Sequence, residues 1–308
     1  MSLVTELQDY REKTKDRPFL GEIVWFSARA ALIPYSKLKT DLASVGLERH
    51  CPSPTAVSDE WRKATSAANR KGVDIGDGKK LNVMVRQLAD DDKEIVRSLV
   101  VETVDENNVR LDYRESHHVV FEKQREIMVL RRLIPAWEQS PADEVAQELQ
   151  ASFNARRGHV DQDTIRALLK NVLVAHKAVT VRETGGVLFV SREHSQVVAD
   201  LERLADGWSG ADLHALPLVD DEVGKQRDMV ASGVTSGVFT EVDALMAEVR
   251  EHKADMSKRR STSIIRRYKE IQARVESYKN LLEDDLGAAT DRLQVLGLAL
   301  PQILDAAA

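Results

Sequence analysis

Cysteine is almost absent from this chain: Cys51 stands alone. One thiol makes neither an intramolecular disulfide nor a thiolate zinc cluster, so a reducing, cytoplasmic setting is expected. Aromatic residues are scarce at 5%, too few for the stacking platforms on which single-strand binders lay bases. No apolar run approaches the roughly 20 residues that cross a bilayer. Met1–Lys13 is charged and amphipathic, without the apolar core of a signal peptide. Positive charge is not in surplus either. The formal net charge of −6 opposes a general nucleic-acid coat and leaves room only for a local basic patch.

Proline is missing from the whole stretch Asp220–Leu286, and there the apolar residues recur at helical spacing. Val238, Val242, Leu245 and Val249 form one series; Ile264, Tyr268, Ile271, Val275, Tyr278 and Leu282 form another. Alternating steps of four and three place these side chains on one stripe per helix, a coiled-coil-like seam. The phase breaks at Met256–Ser263, which predicts an antiparallel helical hairpin in which two narrow stripes cover each other.

The rest of the chain reads as α+β in four consecutive segments. Residues 1–72 form an N-terminal mostly helical unit, with helices at 3–15, 36–45 and 55–68 and a strand over Gly21–Ser27. Residues 73–135 form an antiparallel β-meander of four or five short β-branched strands, with Gly72–Lys80 read as a loop before it and Glu106-Asn107-Asn108 as a hairpin turn. Residues 136–220 form a small α/β unit. Its first helix starts at Ser140-Pro141-Ala142-Asp143, with a hydroxyl cap, proline at the first helical position and acid in the first turn. The same unit holds a Gly185-Gly186 hairpin over 178–191, a helix at 197–205 and a strand at 211–219. Residues 221–308 form the long helical hairpin, with Asp220-Asp221-Glu222 at its positive end.

Pro54 through Asp59-Glu-Trp-Arg-Lys-Ala-Thr65, with Arg182-Glu-Thr-Gly-Gly-Val-Leu-Phe-Val190, Leu216-Pro-Leu218 and Tyr278-x-x-Leu-Leu282, resembles an uncharacterised protein family of phage, plasmid and bacterial genomes. The resemblance covers about Gly21 to Leu286, and Trp61 stands where phenylalanine is expected. It implies a mobile-element setting and no mechanism.

Sites for chemistry are hard to find. Gly72-x-x-x-Gly76-Asp-Gly78-Lys79-Lys80 has the wrong spacing for a phosphate loop and no following hydroxyl. Gly207-Trp-Ser209-Gly210 lacks the last spacer of a nucleophile elbow. His117 and His118 are adjacent on a strand and point to opposite faces, so they do not chelate together. No catalytic residue, metal site, cofactor or small-molecule substrate is therefore predicted.

The function expected is that of a non-catalytic, self-associating structural or adaptor protein. Leu245, Val249, Ile271, Val275 and Tyr278 would carry the contact with a second copy or another protein partner. On that reading, aspartate at both Val249 and Val275 abolishes assembly and leaves the sheet folded. The alternative is a nucleic-acid-binding module. It would use Arg62, Lys63, Arg70 and Lys71 of the 36–71 helix pair, together with Arg259, Arg260, Arg266 and Arg267 of the basic bend 258–269.

Overall fold

A glycine without room for a methyl group marks the centre of the first sheet. Gly21 lies on strand β1 (Phe19–Ala28), which pairs antiparallel on one side with β10 (Leu188–Ser191) and on the other with β11 (Ala211–Val219). Strand β9 (Val179–Thr180) completes the order β11-β1-β10-β9. This computed structural model describes residues 19–181, 186–219, 224–252, 257–283 and 286–306, with side chains to residue 298. The helix expected at 3–15, the acids at 220–222 and Gly185 of the hairpin turn lie outside these residues.

The mixed α+β architecture read from the sequence is present. In space, however, the chain gathers into two units. Unit 1 comprises residues 1–31, 40–51 and 162–308; unit 2 comprises 32–39 and 52–161. Both are discontinuous, because strand pairing joins segments far apart in the chain.

In unit 1, every residue of β10 is buried. That fits an inner strand covered on both faces, and it explains why Leu188-Phe-Val reads as a continuous apolar run and not as an alternating one. Helices α4 (Gln162–Ala175) and α5 (Ser195–Asp206) pack on this sheet. α4 buries Ile165, Leu168, Leu169, Val172 and Leu173 along one stripe. Leu20, Val179, Phe189 and Leu218 share a core with the C-terminal helices.

Those helices are α6 (Lys225–Glu251), α7 (Lys258–Leu282) and α8 (Gly287–Ala306). α6 and α7 form the expected hairpin. Arg274 pairs with Glu241 (2.5 Å) and Arg267 with Glu248 (2.6 Å), so positions advance along one helix as they retreat along the other. The third helix was not expected. α8 packs on both others, burying Ala289, Leu293 and Leu296, and Arg292 pairs with Asp243 on α6.

In unit 2, five strands form an antiparallel meander in sequence order: β3 (Arg70–Gly76), β4 (Lys79–Asp90), β5 (Glu94–Val104), β6 (Arg110–Glu122) and β7 (Ile127–Arg132). Two details correct the expectation. Gly72–Lys80 is not a loop but most of a hairpin, turned at Asp77 (φ 53°) and Gly78 (φ 66°), where successive positive φ values favour Asp-Gly. Where short strands were expected, residues 110–122 are the single long strand β6, which carries bulges against β5. Helices α2 (Val57–Ala67) and α3 (Pro141–Arg156) cover one face, where Trp61, Phe121 and Phe153 meet at the core. β2 (Leu32–Pro34) and β8 (His159–Asp161) pair as a small second sheet. The first helix among the described residues, α1, runs over Tyr35–Ser44.

Candidate functional site

The helical seam does not face outward. Leu245, Ile271, Val275 and Tyr278 are buried in the core shared by α6, α7, α8 and the sheet, and Val249 is partly buried against it. The Tyr278 hydroxyl donates to the Lys177 carbonyl (2.9 Å), and burial pushes its pKa up. These five side chains therefore do not form the contact surface expected of them. α8 and the sheet supply the cover that two helices alone lack.

The basic residues also find partners inside the chain. Arg62 bonds Asp59 (3.0 Å) and Asp90 (3.4 Å). Lys63 bonds Asp161 (2.8 Å), and that hydrogen bond raises its pKa. Arg70 bonds Glu148 (2.5 Å). Lys71 is exposed on β3 rather than on a helix. Residues 45–56 separate α1 from α2, far more than the three or four of a helix-turn-helix. In the basic bend, Arg266 pairs with Glu270 (2.7 Å) and Arg267 with Glu248. Arg259 is exposed and Arg260 half-buried in the first turn of α7, a turn without acidic residues.

A polar network in unit 2 has the composition of a hydrolytic triad. Ser116 Oγ lies 3.0 Å from His117 Nδ1, and His117 Nε2 lies 3.2 Å from Asp143 Oδ1. Its surroundings make it a helix cap. Asp143 accepts two bonds from Arg132 (2.9 Å each) and one from the Ser140 N–H (2.9 Å), closing the capping box of α3. Ser116 is 2% exposed, which leaves no approach for a substrate. The Arg132 guanidinium holds the Asp143 carboxyl below the ordinary carboxylate range, and burial lowers His117 against the pull of Asp143.

His50 and His194 in unit 1 are likewise lowered from 6.5, chiefly by burial. A lowered imidazole pKa means that below 6.5 the unfolded chain takes up protons before the folded one does. Stability is therefore complete above pH 6.5 and is lost as pH falls from there through the folded values. Thermal midpoints measured from pH 8 to pH 5 should decline below 6.5, and a His117→Gln/His194→Gln variant should show a shallower decline. Equal slopes would refute the assignment.

Arg132 does more than cap. It also donates to the carbonyls of Ile134 (3.0 Å), Pro135 and Glu138, pinning the loop 133–139. Arg114 grips Glu138 (2.9 Å), and the Leu133 N–H bonds Ser116 O (2.9 Å), so this loop runs beside β6. At its outer turn Trp137 is 83% exposed, with Leu133 also exposed. β7 pairs only with His117–Glu122 of β6. Among the described residues no strand covers the outer edge of 110–115, where Leu111 and Tyr113 are exposed.

Trp137 went unnoticed in the sequence, since a tryptophan four residues before a helix reads as core. The one signal was its setting between Pro135 and Pro141.

Residues 19–308 match the family of unknown function DUF6744. The chain belongs to that family. The match spans nearly the whole DUF6744 chain, including α8, beyond the stretch over which its short motifs suggested a relative. No curated protein and no solved structure matches it. Among the described residues of this DUF6744 member, no helix is long and apolar enough to cross a membrane. Among them, no three His, Cys, Asp or Glu residues are placed to hold a metal.

Proposed function

We propose that the chain is a non-catalytic structural or adaptor protein that self-associates through the loop carrying Trp137 and the adjoining free edge of β6. The observation that carries this reading is an 83% exposed tryptophan on a loop held by three hydrogen bonds from Arg132. A side chain of that size presented by a fixed backbone loses little freedom on contact, which is why tryptophan is enriched at interface hot spots. The open edge at 110–115 offers backbone donors and acceptors to the same edge of a second copy, a two-fold arrangement. A mobile-element setting, implied by the resemblance at 54–65 and 182–190, suits such a component.

Sedimentation of the wild type should show concentration-dependent association with a blue shift of tryptophan emission. Trp137→Ser should weaken association by roughly tenfold or more, as loss of a hot-spot residue does, with an unchanged melting temperature. A wild type that stays monomeric at every concentration would end this reading.

Nucleic-acid binding is the second reading. Lys258 and Arg259 stand exposed in the first turn of α7. A mobility shift that weakens steeply with salt and is lost in Lys258→Gln/Arg259→Gln would favour it.

A further inference from the structure

We propose that unit 1 holds a binding site for a small organic diphosphate, in the cleft between α4, the turn at Glu48–His50, α6 and α7. The cleft measures about 640 Å³, within the roughly 300–1,000 Å³ of small-ligand sites. Arg49, Lys177, Arg266, Arg267 and Arg274 line it. Only two carboxylates, Glu241 and Glu270, stand against these five cations. The surplus of three positive charges sits in a chain whose net charge is −6. Glu248 answers Arg267 from outside the wall and reduces that surplus without cancelling it.

Arg274 is the second, independent sign. It is only 9% exposed, and its Nε has no partner among the described residues. Its ion-pair partner Glu241 has a side chain 46% exposed, so the carboxylate is shared with solvent. A buried guanidinium compensated in this way leaves positive potential in the wall of the cleft. The outer cations are arranged to respond to a ligand. Arg49 is steadied by its Nε–H donating to His50 Nε2 (3.0 Å). Arg266 is held by Glu270 in a pair exposed on both sides, which exchanges partners at little cost.

The charge count selects the ligand. A carboxylate brings one negative charge and a phosphate monoester about −1.5 to −2 at pH 7, and once the exposed Arg266 exchanges Glu270 for the ligand the wall again has charge for a second, linked phosphate. Guanidinium forks also suit phosphate oxygens geometrically. Val174, Ala175, Ala273 and the edge of Ile271 leave apolar wall for an organic group, and no Phe, Tyr or Trp lines the cleft to stack a base.

The test is calorimetric titration of the full chain with pyrophosphate, with ADP as an organic diphosphate, at constant ionic strength. Saturable one-to-one binding of both is expected, with no saturable heat from acetate at the same ionic strength. Lys177→Gln/Arg266→Gln should lower affinity by roughly a hundredfold, for two charge-assisted hydrogen bonds lost. Its unfolding curve should match that of the wild type, because neither residue is fully buried. Lys258→Gln/Arg259→Gln, outside the cleft, should bind as the wild type does. Absence of saturable binding, equal affinity in the cleft variant, or loss only in the 258/259 variant would each overturn the proposal. So would binding confined to duplex DNA.

Discussion

Leu245→Asp should melt the C-terminal bundle rather than release monomers from an assembly. Leu245 is fully buried and shares its core with Val238, Val242, Ile264, Ile271 and Leu296. Aspartate there forfeits the leucine's burial and places a carboxylate in an apolar core, and Arg267 and Arg274, which line the same cleft, are already paired with Glu248 and Glu241. The combined cost is about 4–5 kcal/mol or more, near the entire stability of many domains. Far-UV circular dichroism and a urea titration would register lost helix and a lower midpoint. Val295→Asp, at an exposed position on α8, should change the midpoint by less than about 0.5 kcal/mol. A Leu245→Asp chain that melts like the wild type would mean that the seam is not sealed by its own bundle. The same reasoning reverses the expectation for Val249→Asp with Val275→Asp: Val275 is buried, so the pair should unfold helices before it reports on assembly.

Gly21→Ala should be nearly as damaging although it adds a single carbon. A Cβ at Gly21 would sit 2.1 Å from the Val190 carbonyl oxygen and 2.7 Å from the Phe189 ring. The first obstacle is backbone, which has no rotamer by which to yield. β1 and β10 would have to separate at the Gly21↔Ser191 pair, in the middle of the sheet that supports both helical layers of unit 1. A loss of about 3 kcal/mol or more is expected, visible as a depressed melting temperature and poor soluble yield. Gly237→Ala provides the contrast. It lies within α6 with no atom within 4 Å of the added methyl, so the helix should gain up to about 1 kcal/mol. If the two substitutions behave alike, the close approach at Gly21 is not real.

These two residues also show what the amino-acid pattern could and could not convey. Local chemistry was legible: Ser140, Pro141 and Asp143 marked the start of α3, and the capping box is there. Strand β11 falls on the residues expected of it, 211–219. What failed was partnership at a distance. The Gly21–Ser27 strand was recognisable, but nothing nearby in the chain says that its neighbours lie beyond residue 187. An apolar stripe reports that a helix face is covered without saying by what, so the seam of α6 and α7 was assigned to a second molecule when α8 and the sheet cover it. Asp77-Gly78 is a strong hairpin signal, yet it was lost among other glycines and charges. The cleft joins Arg49 and Lys177 to residues of α7, a convergence that only the folded chain creates.

The placement of β1 has a consequence for how the protein is made. This strand leaves the ribosome before both of its neighbours, which are completed only at Ser191 and Val219. Throughout that interval its edges stay open while residues 52–161, whose meander joins neighbours in chain order, are free to close. Nascent chains halted near residue 180 should therefore be protease-resistant over the meander and cleavable at Phe19–Ala28. The first strand of the sheet is the last to be secured.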